Sequence, residues 1–446
     1  MDLLEKLVKF GDRTAIVSEE GKLTYAELYE KTLVVSEALK KQGKGAVLVY
    51  GRKRIDAIVA IMACLIAHRP YIPVDASCPE SRIKAIIKQA KPTLCICEDS
   101  FPYDLPHAGL DDISLVAPDD AGESDVTYMI FTSGSTGVPK GVMVTRDNLA
   151  NFISWISSLP ALEYEYVHVL NQASFAFDLS VADIYYSITN GHTLHLLTKE
   201  YPALYEELKE IEVMFITPSF AKLLLTDSAF CGKNYPCLKT IVFCGESLSP
   251  GMVRKLLSRF DIQVVNAYGP TEACCMVSAS SISCDMTEDD ILPCGDLSTA
   301  AVDIRIEDGE IVLAGKSVAK GYIHGERFNG VYRTGDLGRI ENGKLYCLGR
   351  KDRQIKYKGY RIELDEIEAV MSRIEGISDC CVMASKDNHG VVKRIHAYVV
   401  TSLSSEELIQ LLEQILPAYM VPIIHICDCL PRNENDKVDR KALENK

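Results

Sequence analysis

Short apolar runs alternate with helical patterns along the first 270 residues. Gly45–Gly51 (GAVLVYG) is rich in valine, as buried strands are, and a helical pattern covers Ile55–Ala67. Further strand-like runs are Thr127–Phe131, Thr240–Phe243 and Gln263–Asn266. Strands that alternate with helices are typical of α/β architecture, in which helices connect parallel strands. We therefore expect an α/β fold for this part of the chain.

Each of the last three runs ends in a glycine-containing turn. The turns read TSGSTG, CGES and AYGPTE. In open α/β sheets, ligands bind beyond the carboxyl ends of parallel strands. The three turns are therefore predicted to face one crevice.

The pattern changes after residue 300. Shorter strands of antiparallel type appear first, followed by the charge-rich stretch Gly349–Glu368. A small α+β pattern follows, and one of its helices opens with a capping box formed by Ser404 and Glu407. We predict two domains, residues 1–350 and residues 351–446, joined by a short hinge.

Composition and charge narrow the classes of function. The 446 residues are 47% hydrophobic and 25% charged, which is ordinary globular composition. The net charge of −14 disfavours nucleic acid as a partner, because binding to phosphate backbones needs the opposite sign. The longest apolar stretch, Ala57–Ala67, is short of the ~20 residues that span a bilayer. The N-terminus carries charges where a secretory signal would be apolar. We expect a cytoplasmic protein without a membrane span.

The cysteines and histidines do not predict a metal site. Sixteen cysteines are spread over the chain without a C-x-x-C pair, and we expect most of them to be reduced core residues. No H-E-x-x-H motif is present. His192 and His195 lie in GHTLHLL, a pattern typical of a buried strand.

The segment Phe131–Gly141 (FTSGSTGVPKG) is the first candidate site. Its loop offers backbone N–H groups and hydroxyls to phosphate oxygens, and Lys140 supplies positive charge. The spacing differs from the Walker A pattern. A flexible Gly/Ser surface turn remains the alternative for Thr132–Gly137.

Ordered motifs along the chain support a family resemblance. FTSGSTGVPKGVMV, FAFDLSV, NAYGPTE, YRTGDLG, GRKDRQIKYKGYRIE and NENDKVDRKAL resemble, in order and spacing, the motifs of adenylate-forming enzymes. The resemblance is closer to amino-acid adenylation domains, and closer still to D-alanine–D-alanyl carrier protein ligases. It runs from about residue 10 to Leu443. It implies a large N-terminal domain of layered βα subdomains with the ATP and amino-acid sites, and a small mobile α+β lid that carries a catalytic lysine.

The resemblance assigns an ATP site and a Mg²⁺ ligand. It makes Lys437, Thr132 and Lys140 the catalytic residues and Glu272 the Mg²⁺ carboxylate, which suits a hard cation. Tyr268 would stack on adenine, and Asp336 would accept hydrogen bonds from the ribose. The full ATP-binding set is Thr132, Ser133, Gly134, Ser135, Thr136, Gly137, Gly245, Glu246, Asn266, Tyr268, Gly269, Thr271, Asp336 and Arg350. Local turn chemistry is the alternative for these residues, including an Asx cap for Asp336.

Asp178 is the residue that points to an amino acid. It ends an apolar segment, where an unpaired carboxylate is costly, and in the family the matching aspartate pairs with the substrate ammonium. The alternative is that Asp178 caps a helix beginning near Leu179. The implied substrate pocket contains Asp178, Leu179, Ala182, Cys244, Gly269 and Cys275.

The substrate itself stays open at this stage. Cys244 matches a cysteine of the D-alanine enzymes, which makes D-alanine the first choice. Ala182 and Cys275 are smaller than the residues expected in that subfamily. One methylene changes discrimination by only about 1–3 kcal/mol, so the sequence alone does not fix the amino acid or its enantiomer.

The implied activity has two steps. A small amino acid would react with ATP to form aminoacyl-AMP, and the phosphopantetheine thiol of a carrier protein would then displace AMP. Asp352 would be the hinge of the lid, and the loop at Gly359 would face the pantetheine. Asp436 replaces the glycine that usually precedes Lys437 in the family, with an effect that the sequence does not reveal. Alternatives are a stand-alone adenylation enzyme of nonribosomal-peptide type for another amino acid, and a carboxylic acid–CoA ligase.

Overall fold

A computed structural model describes residues 3–97, 101–116, 124–134, 138–199, 202–283, 291–387, 391–432 and 438–444. Within these ranges the α-helices are α1 Leu3–Phe10, α2 Tyr25–Lys41, α3 Ile55–Ala67, α4 Glu80–Ala90, α5 Arg146–Ile156, α6 Leu179–Asn190, α7 Leu204–Glu207, α8 Pro218–Leu224, α9 Pro250–Leu257, α10 Leu364–Met371, α11 Ser405–Glu413 and α12 Arg440–Glu444. None of these helices has the length and apolar character that a membrane crossing requires.

The strands form three larger sheets and two smaller ones. In chain order they are β1 Thr14–Ser18, β2 Gly21–Thr24, β3 Val47–Gly51, β4 Tyr71–Asp75, β5 Leu94–Ile96, β6 His107–Ala108, β7 Val126–Thr132, β8 Lys140–Thr145, β9 His168–Asn171, β10 Thr193–Leu196, β11 Val213–Ile216, β12 Thr240–Phe243, β13 Gln263–Tyr268, β14 Ser278–Ile282, β15 Gly295–Asp296, β16 Asp303–Glu307, β17 Glu310–Ala314, β18 Gly321–Tyr322, β19 Val331–Glu341, β20 Lys344–Arg350, β21 Gln354–Tyr357, β22 Tyr360–Glu363, β23 Ile377–Lys386, β24 Val392–Thr401 and β25 Ile423–Ile426.

Two mostly parallel sheets enclose the main core. One has the order β14-β13-β12-β11-β9-β10-β1-β2, and the other has the order β18-β8-β7-β4-β3-β5-β6. Helix α3 contacts strands of both sheets. Helix α6 is buried along nearly its whole length, and the Tyr185 hydroxyl on it hydrogen-bonds the Tyr71 hydroxyl on β4 at 2.9 Å. The large core thus joins the two sheets into one body, as layered α/β packing requires.

The predicted elements are largely confirmed. Helix α3 and strand β12 have the predicted bounds, and His195 lies in the buried strand β10. That the three turns face one crevice stays a prediction; they do not lie on one sheet, because β7 belongs to a different sheet from β12 and β13. A buried apolar run predicts a strand but carries no information about its partner strand.

The chain after residue 350 forms a separate set of sheets. Strand β20 ends at Arg350, and β21 begins at Gln354. Among the described residues, β21 and β22 pair only with each other, and the strands of the sheet β23-β24-β25 pair only among themselves. Helices α10 and α11 pack on these strands, and the capping box of Ser404 and Glu407 is confirmed. We call β21–β25 with α10–α12 the C-terminal unit; the proposed boundary at residue 350 remains a prediction.

Candidate functional site

Two cavities lie where the C-terminal unit meets the large sheets. The first has a volume of about 430 Å³ and is lined by the turns after β12 and β13, by Asp336 and Arg350, and by Lys356 of the C-terminal unit. The second has a volume of about 310 Å³ and is lined by residues 172–174, by Thr217 and by Lys358–Tyr360. The predicted pantetheine residue Gly359 lines the second cavity. The predicted ATP-binding residues that line the first cavity are Gly245, Glu246, Asn266, Tyr268, Gly269, Asp336 and Arg350.

The wall of the first cavity holds a fixed carboxylate. The Tyr268 hydroxyl donates to Asp336 Oδ2 at 2.7 Å, and Arg350 Nη1 donates to Asp336 Oδ1 at 2.9 Å. Both oxygens of Asp336 therefore have partners beyond its own turn, unlike in an Asx cap. The Asn266 amide donates from Nδ2 to the Pro293 carbonyl at 2.9 Å, which fixes the orientation of its oxygen. These side chains form a polar wall that can accept hydrogen bonds.

The glycine-rich loop after β7 contacts the C-terminal unit. Thr132 pairs with Lys140 at the end of the β7–β8 hairpin where the connecting loop begins and ends. The Gly134 N–H donates to Glu366 Oε2 at 3.1 Å, and the Ser133 hydroxyl donates to the Arg361 carbonyl at 2.7 Å. The loop thus binds a carboxylate through the kind of backbone donor that binds phosphate. Ser135, Thr136 and Gly137 lie outside the described residues, as do the predicted catalytic Lys437 and its neighbour Asp436.

Glu272 forms the most deeply buried ion pair of the site. Its side chain is 0% exposed, and Arg361 Nη1 lies 2.7 Å from Oε1 and 2.5 Å from Oε2. The Tyr322 hydroxyl also donates to Oε1, and Lys140 Nζ lies 5.6 Å from the centre of the Tyr322 ring. Burial alone would raise the pKa of Glu272, but the Arg361 guanidinium outweighs burial and holds this pKa below its usual value. Glu272 is therefore an anion that needs a cation beside it.

Asp178 lies beside the second cavity, which its chain neighbours Phe177 and Leu179 line. It occupies the N-cap position of α6 without a side-chain capping bond, so the capping alternative is wrong. Instead, its Oδ2 accepts a hydrogen bond from the Thr271 hydroxyl. Burial raises the pKa of Asp178 to about 6; Glu272 adds to this effect, whereas Thr271, Arg361 and Lys356 oppose it. A carboxylate in such a position gains from a bound cation.

Apart from Leu179, the other predicted pocket residues have small side chains. Leu179 lines the second cavity, and Gly269 lines the first. Ala182, Cys244 and Cys275 are buried in the main core, and Cys244 Sγ lies 4.0 Å from the Cys275 carbonyl. The structure brings these residues together; their roles in substrate binding remain predictions.

Glu246 connects the two cavities. Its backbone lines the first cavity, as expected, but its carboxylate accepts hydrogen bonds from the Gly359 N–H at 2.6 Å and from the Ser219 hydroxyl at 2.9 Å. Gly359 has φ 84°, and a Cβ there would lie 2.7 Å from Thr217 Cγ2. The Gly359 loop therefore fits its site only without a side chain.

The predicted hinge residue is tied to the wall of the first cavity. Asp352 is exposed, and its Oδ1 accepts from Arg350 Nε at 2.9 Å. Arg350 thus bridges Asp352 and Asp336. The role of Asp352 as a hinge remains a prediction.

Sequence reasoning missed three residues of the site. Arg361 pairs with Glu272, and Glu366 accepts a hydrogen bond from the Gly134 N–H. Lys356 Nζ lies 5.7 Å from the centre of the Tyr268 ring. The signal was present in the charge-rich stretch GRKDRQIKYKGYRIELDEIE. The sequence of this stretch does not show which of its charged side chains face the large sheets.

Gly269 gives a direct test of this packing. A Cβ at Gly269 would lie 2.6 Å from both the Cys275 carbonyl oxygen and the Met276 Cα, so the backbone must shift. We expect Gly269→Ala to lower the free energy of unfolding by about 1–3 kcal/mol, measured by urea unfolding. Gly251→Ala is the matched control, because no atom lies within 4 Å of its Cβ. Equal stability of the two variants would contradict the packing described here.

Comparisons with known proteins identify the family. Residues 3–323 match the family model of AMP-binding enzymes, and residues 366–437 match the AMP-binding enzyme C-terminal domain. Similar curated relatives include the D-alanine–D-alanyl carrier protein ligases of Bacillus licheniformis and Lactococcus lactis. They are 36% and 33% identical to this chain, and each alignment covers 100% of this chain and 99% of the relative.

Solved structures share the fold. The adenylation domain AlmE of Vibrio cholerae, in complex with glycyl-adenosine-5'-phosphate, is 24% identical with a TM-score of 0.84, covering 99% of this chain and 96% of AlmE. The o-succinylbenzoate CoA synthetase MenE of Bacillus subtilis is 21% identical with a TM-score of 0.85, covering 100% and 98%. The family match and the full-length relatives together show that this chain belongs to the AMP-binding enzyme family.

Proposed function

We propose that this protein activates D-alanine with ATP and transfers the D-alanyl group to the phosphopantetheine thiol of a carrier protein in the cytoplasm. The observation that carries the proposal is Asp178, a carboxylate held by Thr271 among small buried side chains. An amino-acid ammonium would neutralise it, whereas a plain carboxylic acid would leave it unpaired. The names of the full-length relatives support D-alanine as the amino acid.

In the first step, a carboxylate oxygen of D-alanine attacks the α-phosphorus of ATP. The bond from this phosphorus to the oxygen of pyrophosphate breaks, which leaves D-alanyl-AMP. The polar wall of Asn266, Tyr268 and Asp336 would hold the nucleoside, and the loop from Thr132 would hold the phosphates with Lys140. Lys437 would stabilise the charge that builds between the two reacting anions. Holding both reactants in one crevice supplies much of the rate.

Mg²⁺ fits the donor set at Glu272. A buried carboxylate that needs a cation is a suitable oxygen ligand, and bound Mg²⁺ would neutralise charge on the phosphates. The Arg361 guanidinium lies against that carboxylate, and Glu366 takes the Gly134 N–H. MgATP and the docked C-terminal unit would therefore compete for the same groups. We infer that the C-terminal unit rotates about a hinge at Asp352 for the first step, so that Arg361 and Glu366 leave the site and Lys437 enters it.

The docked arrangement suits the second step. The carrier's thiol would approach through the second cavity, past Gly359, toward the carbonyl carbon of D-alanyl-AMP. The sulfur–carbon bond forms as the bond to the AMP oxygen breaks, and the thiol proton passes to solvent. The Glu246 carboxylate would hold the Gly359 loop in place during this step.

Amino-acid-dependent exchange of pyrophosphate into ATP tests the first step. A panel would contain D-alanine, L-alanine, glycine, D-serine and acetate, with Lys437→Ala in parallel. We expect D-alanine to support exchange at the highest kcat/KM and Lys437→Ala to abolish it. Exchange with acetate but with no amino acid would overturn the role of Asp178 and favour a CoA ligase.

The pH dependence of the same assay isolates Asp178. Its carboxylate must be ionised to bind the ammonium, and its pKa is raised to about 6 in the free protein. The kcat/KM for D-alanine should therefore be constant above this pH and fall toward tenfold per pH unit below it. Asp178→Asn should lose about 100-fold in kcat/KM, since removing one partner of a buried ion pair costs about 3 kcal/mol. Its remaining activity should lack the fall near pH 6.

A substitution at Gly359 distinguishes the second step from the first. Gly359→Ala places a methyl group against Thr217 in the docked arrangement, so we expect transfer to the carrier to slow at least tenfold relative to exchange. Gly343→Ala is the matched control, because Gly343 has φ 73° but no atom within 4 Å of its Cβ. Equal transfer-to-exchange ratios in the two variants would contradict the role given to the Gly359 loop.

A further inference from the structure

Three metal-ligand side chains from separate parts of the chain converge away from the cavities. They are His168, His195 and Glu210, and one ligand atom from each lies within 4.8 Å of the other two. His168 Nδ1 and His195 Nε2 are 2.8 Å apart. His195 is buried, His168 is half-buried and Glu210 is exposed, so the cluster lies at the protein surface with its imidazoles inward.

The sheet brings these side chains together. His168 is the first residue of β9, and the parallel pairing places Leu170 opposite His195 of β10. Because side chains alternate along a strand, His168 and His195 emerge on the same face. Glu210 ends the short turn that leads into β11, the strand on the other side of β9. Two adjacent strands and the turn before a third thus contribute one ligand each. The two histidines are 27 positions apart in the chain, which hides the site from local motifs.

This position is remote from the proposed reaction. The opposite, carboxyl end of β9 leads into residues 172–174, which line the second cavity. The cluster lies at the amino end of β9. Its occupancy would therefore stabilise the sheet rather than take part in the chemistry.

The chemistry of the three groups suits Zn²⁺. Two imidazoles and a carboxylate form a common donor set for this ion, with a fourth position open to water. Bonds of about 2.0 Å in a tetrahedral site separate two nitrogens by about 3.3 Å. The two rings therefore need to part by only about 0.5 Å.

Neighbouring groups limit the freedom of His168. The Tyr166 ring packs edge-on against the His168 ring at 5.5 Å, and the backbone N–H of His168 donates to Glu212 Oε2 at 2.8 Å. The first contact limits the ring, and the second fixes the backbone.

We propose that His168, His195 and Glu210 form a Zn²⁺ site that ties together β10, the amino end of β9 and the turn that leads into β11. The fourth ligand is water, because Glu210 leaves the site open to solvent. The site has no part in either half of the proposed reaction.

Metal titration of the reduced, tag-free protein tests this proposal. Zn²⁺ would be added in competition with a chromophoric chelator, and Co²⁺ would report the ligands by its visible absorption. We expect one tight site whose Co²⁺ spectrum lacks the charge-transfer bands of thiolate ligands. Zn²⁺ should also raise the unfolding temperature.

Two carboxamide variants make the test specific. Glu210→Gln should weaken Zn²⁺ at least tenfold, and Glu206→Gln is the control, since Glu206 is an exposed carboxylate nearby that pairs with Lys209. Both side chains are exposed, so both variants should fold. Equal Zn²⁺ affinity in the two variants, or a thiolate signature in the Co²⁺ spectrum, would overturn the proposal and leave the histidines as a hydrogen-bonded pair only.

Discussion

The buried ion pair between Glu272 and Arg361 is the constraint on which the arrangement of the site depends. A fully buried carboxylate without a cation is unstable, and removing one partner from such a pair costs about 3–5 kcal/mol. Glu272 must therefore be neutralised in every state of the protein. In the docked arrangement the cation is a guanidinium from the C-terminal unit. In the proposed first step it would be Mg²⁺.

The same reasoning extends to the loop after β7. The Gly134 N–H is a donor that attracts anions, and here it holds the Glu366 carboxylate of the C-terminal unit. The C-terminal unit thus presents a cation to the proposed Mg²⁺ ligand and an anion to the proposed phosphate loop. In charge, Arg361 takes the place that the proposed function gives to Mg²⁺, and Glu366 takes the place of a phosphate. Under the proposed function, binding of MgATP and docking of the C-terminal unit exclude each other because they use the same groups.

Part of the fold and of the candidate site could be predicted from the sequence, and particular residues show why the rest could not. Helix α3 and strand β12 have the predicted bounds, because continuous apolar runs record burial directly. The division of strands between two sheets escaped prediction, since β7 and β12 carry similar apolar runs. The ordered motifs assign Tyr268 and Asp336 to one predicted site, and the two side chains share a hydrogen bond; their roles remain predictions. Arg361 lies 89 residues from Glu272 in the chain, so no local sequence pattern predicts their contact.

The most direct test is a crystal structure of the protein with Mg²⁺ and a non-hydrolysable ATP analogue. The account predicts that Arg361 and Glu366 have left Glu272 and Gly134. Mg²⁺ should then contact the Glu272 carboxylate, and a phosphate oxygen should accept from the Gly134 N–H. A Mg²⁺-bound nucleotide in the first cavity, with both contacts of the C-terminal unit still intact, would contradict the account.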